Sequence, residues 1–215
     1  SGHNIYQAIR HRGQGTITNC VFKNIAYPSY QGFAIVAFGG NVDVLSCTFL
    51  NIGRVGILYY GTGVTDSEFS GNSYTGKGDG DWLDYGVEVG AGAHVLIDGS
   101  TISGCTGVAS VDGSTSAGVL VTTYYGAGSQ ATIVNNDISG CTYGIAVGYD
   151  AGDTSSVIAY MNNLYNNDWG IDSTAPAVDA RFNWWGDASG PYHGVTNPSG
   201  LGNDVSDYID YSPWL

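Results

Sequence analysis

Positive charge is the scarcest resource of this chain. Six Lys and Arg face nineteen Asp and Glu, a formal net charge of −13 at pH 7. Phosphate contacts rely on Lys and Arg, so nucleic acid and anionic membrane are disfavoured as partners. Charge of either sign is sparse, at 12% of residues, about half the usual share. With so little Lys, Glu and Leu, a helical bundle is a poor fit. No run of 18 apolar residues exists, so no segment reads as a membrane-inserted helix. Five prolines and no glycine-every-third register exclude collagen. The four cysteines form no Cys-x-x-Cys pair, which argues against a zinc site. A hydrophobic share of 43% is too high for a disordered acidic tail. What is plentiful is glycine, 34 of 215 residues, and tyrosine, 16. The remainder is a glycine-rich, polar but weakly charged β protein.

A repeat organises it. Segments 16–22, 44–49, 64–69, 96–102, 133–138, 159–164 and 180–185 share apolar alternation, a small polar residue and a bulky apolar residue two positions later. The bulky residues are Phe22, Phe49, Phe69, Ile102, Ile138, Leu164 and Trp185, spaced 27, 20, 33, 36, 26 and 21 apart. A second short strand follows most of them, opening on Gly56, Gly86, Gly118, Gly144 or Gly170, with residues 34–37 in its place in the first repeat. No segment can bury its apolar face alone, whereas stacked segments bury a continuous interior. Alternation predicts one inward column of Ile57, Val87, Val119, Ile145 and Ile171. The architecture is a coil of parallel strands, a β-helix. An antiparallel sandwich or barrel is disfavoured, since the hairpin dipeptide Asn-Gly is absent.

The slot two residues before the bulky one carries Cys20, Cys47, Ser67, Ser100, Asn136, Asn162 and Asn183. Small polar residues there suit a sharp turn, where side chains satisfy backbone groups and stack on their neighbours. Cys20 and Cys47 share this slot, and Cys105 and Cys141 share another. Stacked coils bring each pair within disulfide range, so a disulfide and a thiol stack both stay open, the stack preferred on dihedral grounds.

The Asn-Asn-x-Ile/Leu … Gly-Ile repeat resembles the right-handed parallel β-helix proteins of the pectate-lyase-like superfamily, over about residues 16–186. The resemblance implies an all-β, single-stranded right-handed β-helix of about seven to eight coils over residues 1–182. Residues 183–215 resemble the closing unit of secreted microbial β-helix proteins, in Asn-Trp-Trp-Gly-Asp-Ala-Ser-Gly-Pro and Ser-Pro-Trp-Leu. There Trp184, Trp185, Tyr192 and Trp214 are expected to cover the end of the stack. A secreted or cell-surface location is expected, with the chain a monomeric piece of a longer protein whose first coil is truncated.

The interior of such a coil is filled, so function belongs to an outer face and its loops. In the resembled enzymes the Gly-Ile face forms a polysaccharide cleft. Its outward column here reads Leu58, Glu88, Leu120, Ala146 and Asp172. The longest insertions flank it, and residues 77–88 place Asp79, Asp81, Asp84 and Glu88 near Lys77, Trp82 and Tyr85, with Arg54 in the preceding coil. Three chemistries compete with a plain solvated loop. Asp79, Asp81 and Asp84 could bind calcium, although the spacing fails the EF-hand pattern. Two of Asp81, Asp84 and Glu88 could serve as acid and base for glycoside hydrolysis. In a lyase, Lys77 or Arg54 would neutralise a uronate. Tyr60, Tyr124 and Tyr125, with Trp82 and Tyr85, offer flat faces for sugar stacking, and Tyr30 lies in a flanking loop. His3, His11, His94 and His193 read as solvated turn or terminal residues rather than ligands. No polygalacturonase, pectin-methylesterase or epimerase motif is present, and six basic residues are few for gripping an acidic polymer. The expected function is polysaccharide binding along this face, with lyase or hydrolase activity open. A structural or adhesive module is the alternative.

Overall fold

The computed structural model describes residues 4–28 and 31–215, so His3 and Tyr30 lie outside the described residues. The chain winds through three parallel sheets. The first stacks Gln7–His11, Phe33–Phe38, Val55–Tyr60, Tyr85–Gly90, Ala117–Val121, Tyr143–Val147 and Trp169–Ser173, then Gly202–Val205 and Pro191–Tyr192. The second runs from Gly15–Thr18 through His94–Asp98 to Ile209–Asp210, and the third from Val21–Ile25 to Asn163–Tyr165.

The inward column of the first sheet is in register as expected: Ile9, Ile35, Ile57, Val87, Val119, Ile145 and Ile171. From Ile35 onward every member is fully buried. The glycine preceding this column has a packing cause. A Cβ on Gly86 would lie 2.7 Å from the Gly118 carbonyl oxygen and 2.9 Å from Ile102. On Gly118 it would lie 2.8 Å from the Gly144 oxygen and 2.9 Å from Ile138. The first sheet presses against the bulky column of the third, and only glycine fits.

One repeat differs from its expected register. Ser67–Ser70 belongs to the second sheet, where Phe69 pairs with Val44 and Ile97. The bulky column of the third sheet instead runs Phe22, Phe49, Tyr74, Ile102, Ile138 and Leu164. Segments 64–69 and 73–75 both present an aromatic to the interior, and Phe69 was the more obvious of the two. With Tyr74 in place, the first gaps become 27, 25 and 28, close to one coil each.

The small-polar slot shifts in the same way, from Ser67 to Asn72, and becomes a hydrogen-bonded ladder. The backbone N–H of Cys47 donates to Asn72 Oδ1 at 2.8 Å, and that of Asn72 to Ser100 Oγ at 3.1 Å. The N–H groups of Ser100, Asn136 and Asn162 then donate to Asn136, Asn162 and Asn183, each at 2.9 Å. The residue before each rung has positive φ: Asn19, Ser46, Gly71, Gly99, Asn135, Met161 and Phe182. That left-handed corner turns backbone donors inward, and the next coil's side chain satisfies them. All four cysteines are free thiols.

The closing segment extends the same sheets. Trp185 is fully buried and packs in the core, and Trp214 packs against it partly buried. Tyr192 is 41% exposed and is not part of this cover. It sits on the outermost strand, Pro191–Tyr192, which is short and carries a proline, both features that blunt an edge. His193 is not solvated. It is buried, its Nδ1 is 2.9 Å from Thr196 Oγ1, and its Nε2 is 3.1 Å from Asp207.

Candidate functional site

The outward column of the first sheet is also in register: Leu58, Glu88, Leu120, Ala146 and Asp172. Loops rise on both sides and leave a groove of about 1180 Å³. Glu88, Leu120, Ala146 and Asp172 line its floor.

Residues 76–84 and 104–116 build one wall and brace each other. Asp81 accepts from the Ser110 backbone N–H at 2.7 Å and the Ser110 hydroxyl at 2.8 Å. These donors hold the Asp81 carboxyl below its usual range. Val108 N–H donates to the Gly80 carbonyl at 2.9 Å, and Trp82 Nε1 donates to the Gly78 carbonyl at 3.0 Å. Arg54, Trp82, Tyr85 and Asp112 face the groove from this side. The Tyr85 hydroxyl donates to the Thr115 carbonyl at 3.1 Å.

The opposite wall is aromatic. Tyr124 meets Tyr125 edge-on at 5.0 Å and Tyr149 edge-on at 5.3 Å. Tyr60 is not on the wall itself. It backs Tyr125 at 5.6 Å and stacks on Phe38 at 4.9 Å. Glycine at position 90 makes room, since a Cβ there would lie 3.1 Å from the Tyr125 ring.

Glu88 is the group most altered by this setting. It is 4% exposed and stands between Leu58 and Leu120 in its column. Burial drives its pKa up to about 7, while the Arg54 charge and a hydrogen bond with Tyr125 oppose the rise. Tyr125 in turn is pushed up to about 12 by burial and by Glu88. Partial burial raises Asp172 at the other end of the floor, against a hydrogen bond with Ser206.

The four carboxylates of residues 79–88 do not converge. Asp79 and Asp81 are exposed, and Asp81 is committed to Ser110. Asp84 is fully buried and turned away from the groove. It accepts from the Tyr74 hydroxyl and from Lys77 N–H at 2.6 Å, and it pairs with Lys77 Nζ at 3.1 Å. Lys77 also donates to the Ile52 carbonyl at 2.9 Å. Asp84 and Lys77 therefore form a buried ion pair, not part of a reaction centre on the groove. The reason is geometric: Lys77 follows Tyr74 by three residues, the slot that turns inward at Ile25, Ile52, Cys105 and Cys141. Among the described residues, no three His, Cys, Asp or Glu side chains are set to hold a metal ion, so the expected calcium set of Asp79, Asp81 and Asp84 is not assembled. The structure does bring together Glu88, Arg54, Tyr85 and Tyr125. It adds Asp112 and Asp172, which the sequence reading did not single out as site residues, and sets Tyr149 beside Tyr124. For Asp172 the column register was the available signal.

The family model for the right handed beta helix region matches residues 7–177. The chain belongs to this right-handed β-helix family. The match spans the whole floor of the groove and both walls. No curated protein and no solved structure matches the chain.

On this β-helix, Glu88 and Asp172 are three ladder steps apart, about 14 Å at ~4.8 Å per strand. Acid–base pairs in glycoside hydrolysis stand about 5–9.5 Å apart, so these two floor carboxyls do not form such a pair. What the groove presents is a long floor with a carboxyl at each end and apolar residues between, one of those carboxyls poised near neutrality, and a row of aromatic faces.

Proposed function

We propose that the groove binds a polysaccharide chain lying along the helix axis. The observation that carries this reading is the continuous groove itself, with the Tyr124, Tyr125 and Tyr149 wall beside a floor of Glu88, Leu120, Ala146 and Asp172. Flat aromatic faces pack on the apolar faces of sugar rings, and polar edges bond their hydroxyls. Binding rather than catalysis is the function proposed, because two of the acids and bases expected to react, Asp84 and Lys77, are consumed by each other inside the coil. An extracellular location accords with it. The test is a glycan array probed with the wild type and with a Tyr124→Ala/Tyr125→Ala variant. Binding to at least one polysaccharide, weakened about tenfold or more in the variant, is expected. Equal signals from both proteins would remove the groove as the site, and a bare array would leave the structural or adhesive role.

A further inference from the structure

We infer that the groove selects uncharged glycans and rejects polyuronates. The inference deepens the glycan-binding reading and rests on it. The groove supplies the site, and its charges set the choice. Asp81, Glu88, Asp112 and Asp172 line it, with Arg54 the only Lys or Arg among the described lining residues. The other cations nearby are engaged elsewhere. Lys77 is locked to Asp84 inside the coil, and Arg10 and Arg12 lie over the Phe38 ring at 4.8 and 4.7 Å.

A chain laid along the floor passes Glu88 at one end and Asp172 at the other. A uronate chain presents a carboxylate on every sugar, so above about pH 7, where Glu88 is ionised, some must sit against these charges in a partly dewatered trough. Arg54 can answer one of them at most, and its charge is already shared with Glu88 and Asp112. Like charges brought together out of water oppose binding strongly. A neutral chain meets no such opposition. Its hydroxyls can donate to the carboxylates and accept from the tyrosine hydroxyls, and its ring faces can lie on Tyr124 and Tyr125.

Matched pairs of polymers test this. Oligomers of β-1,4-glucan and β-1,4-mannan are titrated calorimetrically into the intact chain, each beside its C6-oxidised counterpart, at low and high salt. At least one neutral member should bind, at least about tenfold tighter than its oxidised partner at low salt. The gap should shrink at high salt, where exposed charges are screened, and in an Asp112→Asn/Asp172→Asn variant. An oxidised member binding as tightly as its neutral partner overturns the inference and leaves glycan binding standing. No binding by these oligomers, together with a bare glycan array, removes the glycan reading and the inference with it.

Discussion

Asp84 and Glu88 stand four residues apart, both are buried, and the fold treats them in opposite ways. Asp84 faces inward at the corner before the strand and receives the Tyr74 hydroxyl, a backbone N–H and the Lys77 ammonium. Glu88 faces outward in mid-strand and has one hydroxyl, Tyr125, with leucines on both sides in its column. An interior acid must be neutralised for the coil to close, so its partners are complete. An acid on the outer face could have been replaced by leucine, as at positions 58 and 120. Its under-compensated burial is a cost borne at the floor of the groove, where a working group would sit.

The largest effect should come from breaking the inner pair. Lys77→Met leaves Asp84 charged and without its cation, and urea unfolding should show a loss of about 3–5 kcal/mol. Adding Asp84→Leu should recover only part of it, because the unpaired charge is gone while the buried Tyr74 hydroxyl loses its acceptor. A loss below about 1 kcal/mol in the single variant would erase the contrast drawn above.

Glu88 should behave in the opposite sense. Its folded pKa of about 7 lies above the ordinary 4.5, so the native state holds the proton more tightly than the unfolded chain. The stability this contributes is complete below about pH 4.5 and is lost as pH rises through about 7, a decline of about 3 kcal/mol. Glu88→Gln should abolish that share of the decline, appearing more stabilised at pH 8 than at pH 4. Parallel stability curves for the two proteins across this window would show Glu88 to be ordinary.

Smaller effects sharpen the comparison. Asn136→Ala removes one rung of the inner ladder and leaves the Ser100 N–H without its acceptor, which should cost about 1–3 kcal/mol. Tyr125→Phe removes the one hydroxyl that favours ionised Glu88, so the Glu88 midpoint should move upward, as followed by carboxyl NMR. Stability at low pH should hardly change. A midpoint that stays in place would mean the hydroxyl and the carboxyl do not interact.

Much of the fold was legible in the chain. The inward and outward columns of the first sheet were read residue for residue, because alternation and the Gly-Ile step recur in each coil. Phe69 was misread as a member of the bulky column because coil three carries two inward aromatics only five residues apart, and Tyr74 is the one in register with Phe49 and Ile102. In the site, Glu88 and Arg54 were legible by position. The withdrawal of Asp84 and Lys77 was not, since a loop in a sequence looks exposed whichever way its side chains turn.

Sequence by itself determined the coil, the Gly-Ile step that recurs in it and the face on which a groove would lie. Those features repeat, and repetition lets short-range alternation and steric need specify them many times over. Which acids are structural and which remain available was decided only by tertiary structure. Stacking brings residues about thirty positions apart to within one strand spacing, so Lys77 finds Ile52, Glu88 finds Leu58 and Leu120, and Asp81 finds Ser110. The burial of a carboxyl, and hence its charge near neutral pH, depends on those neighbours and not on the residues beside it in the chain.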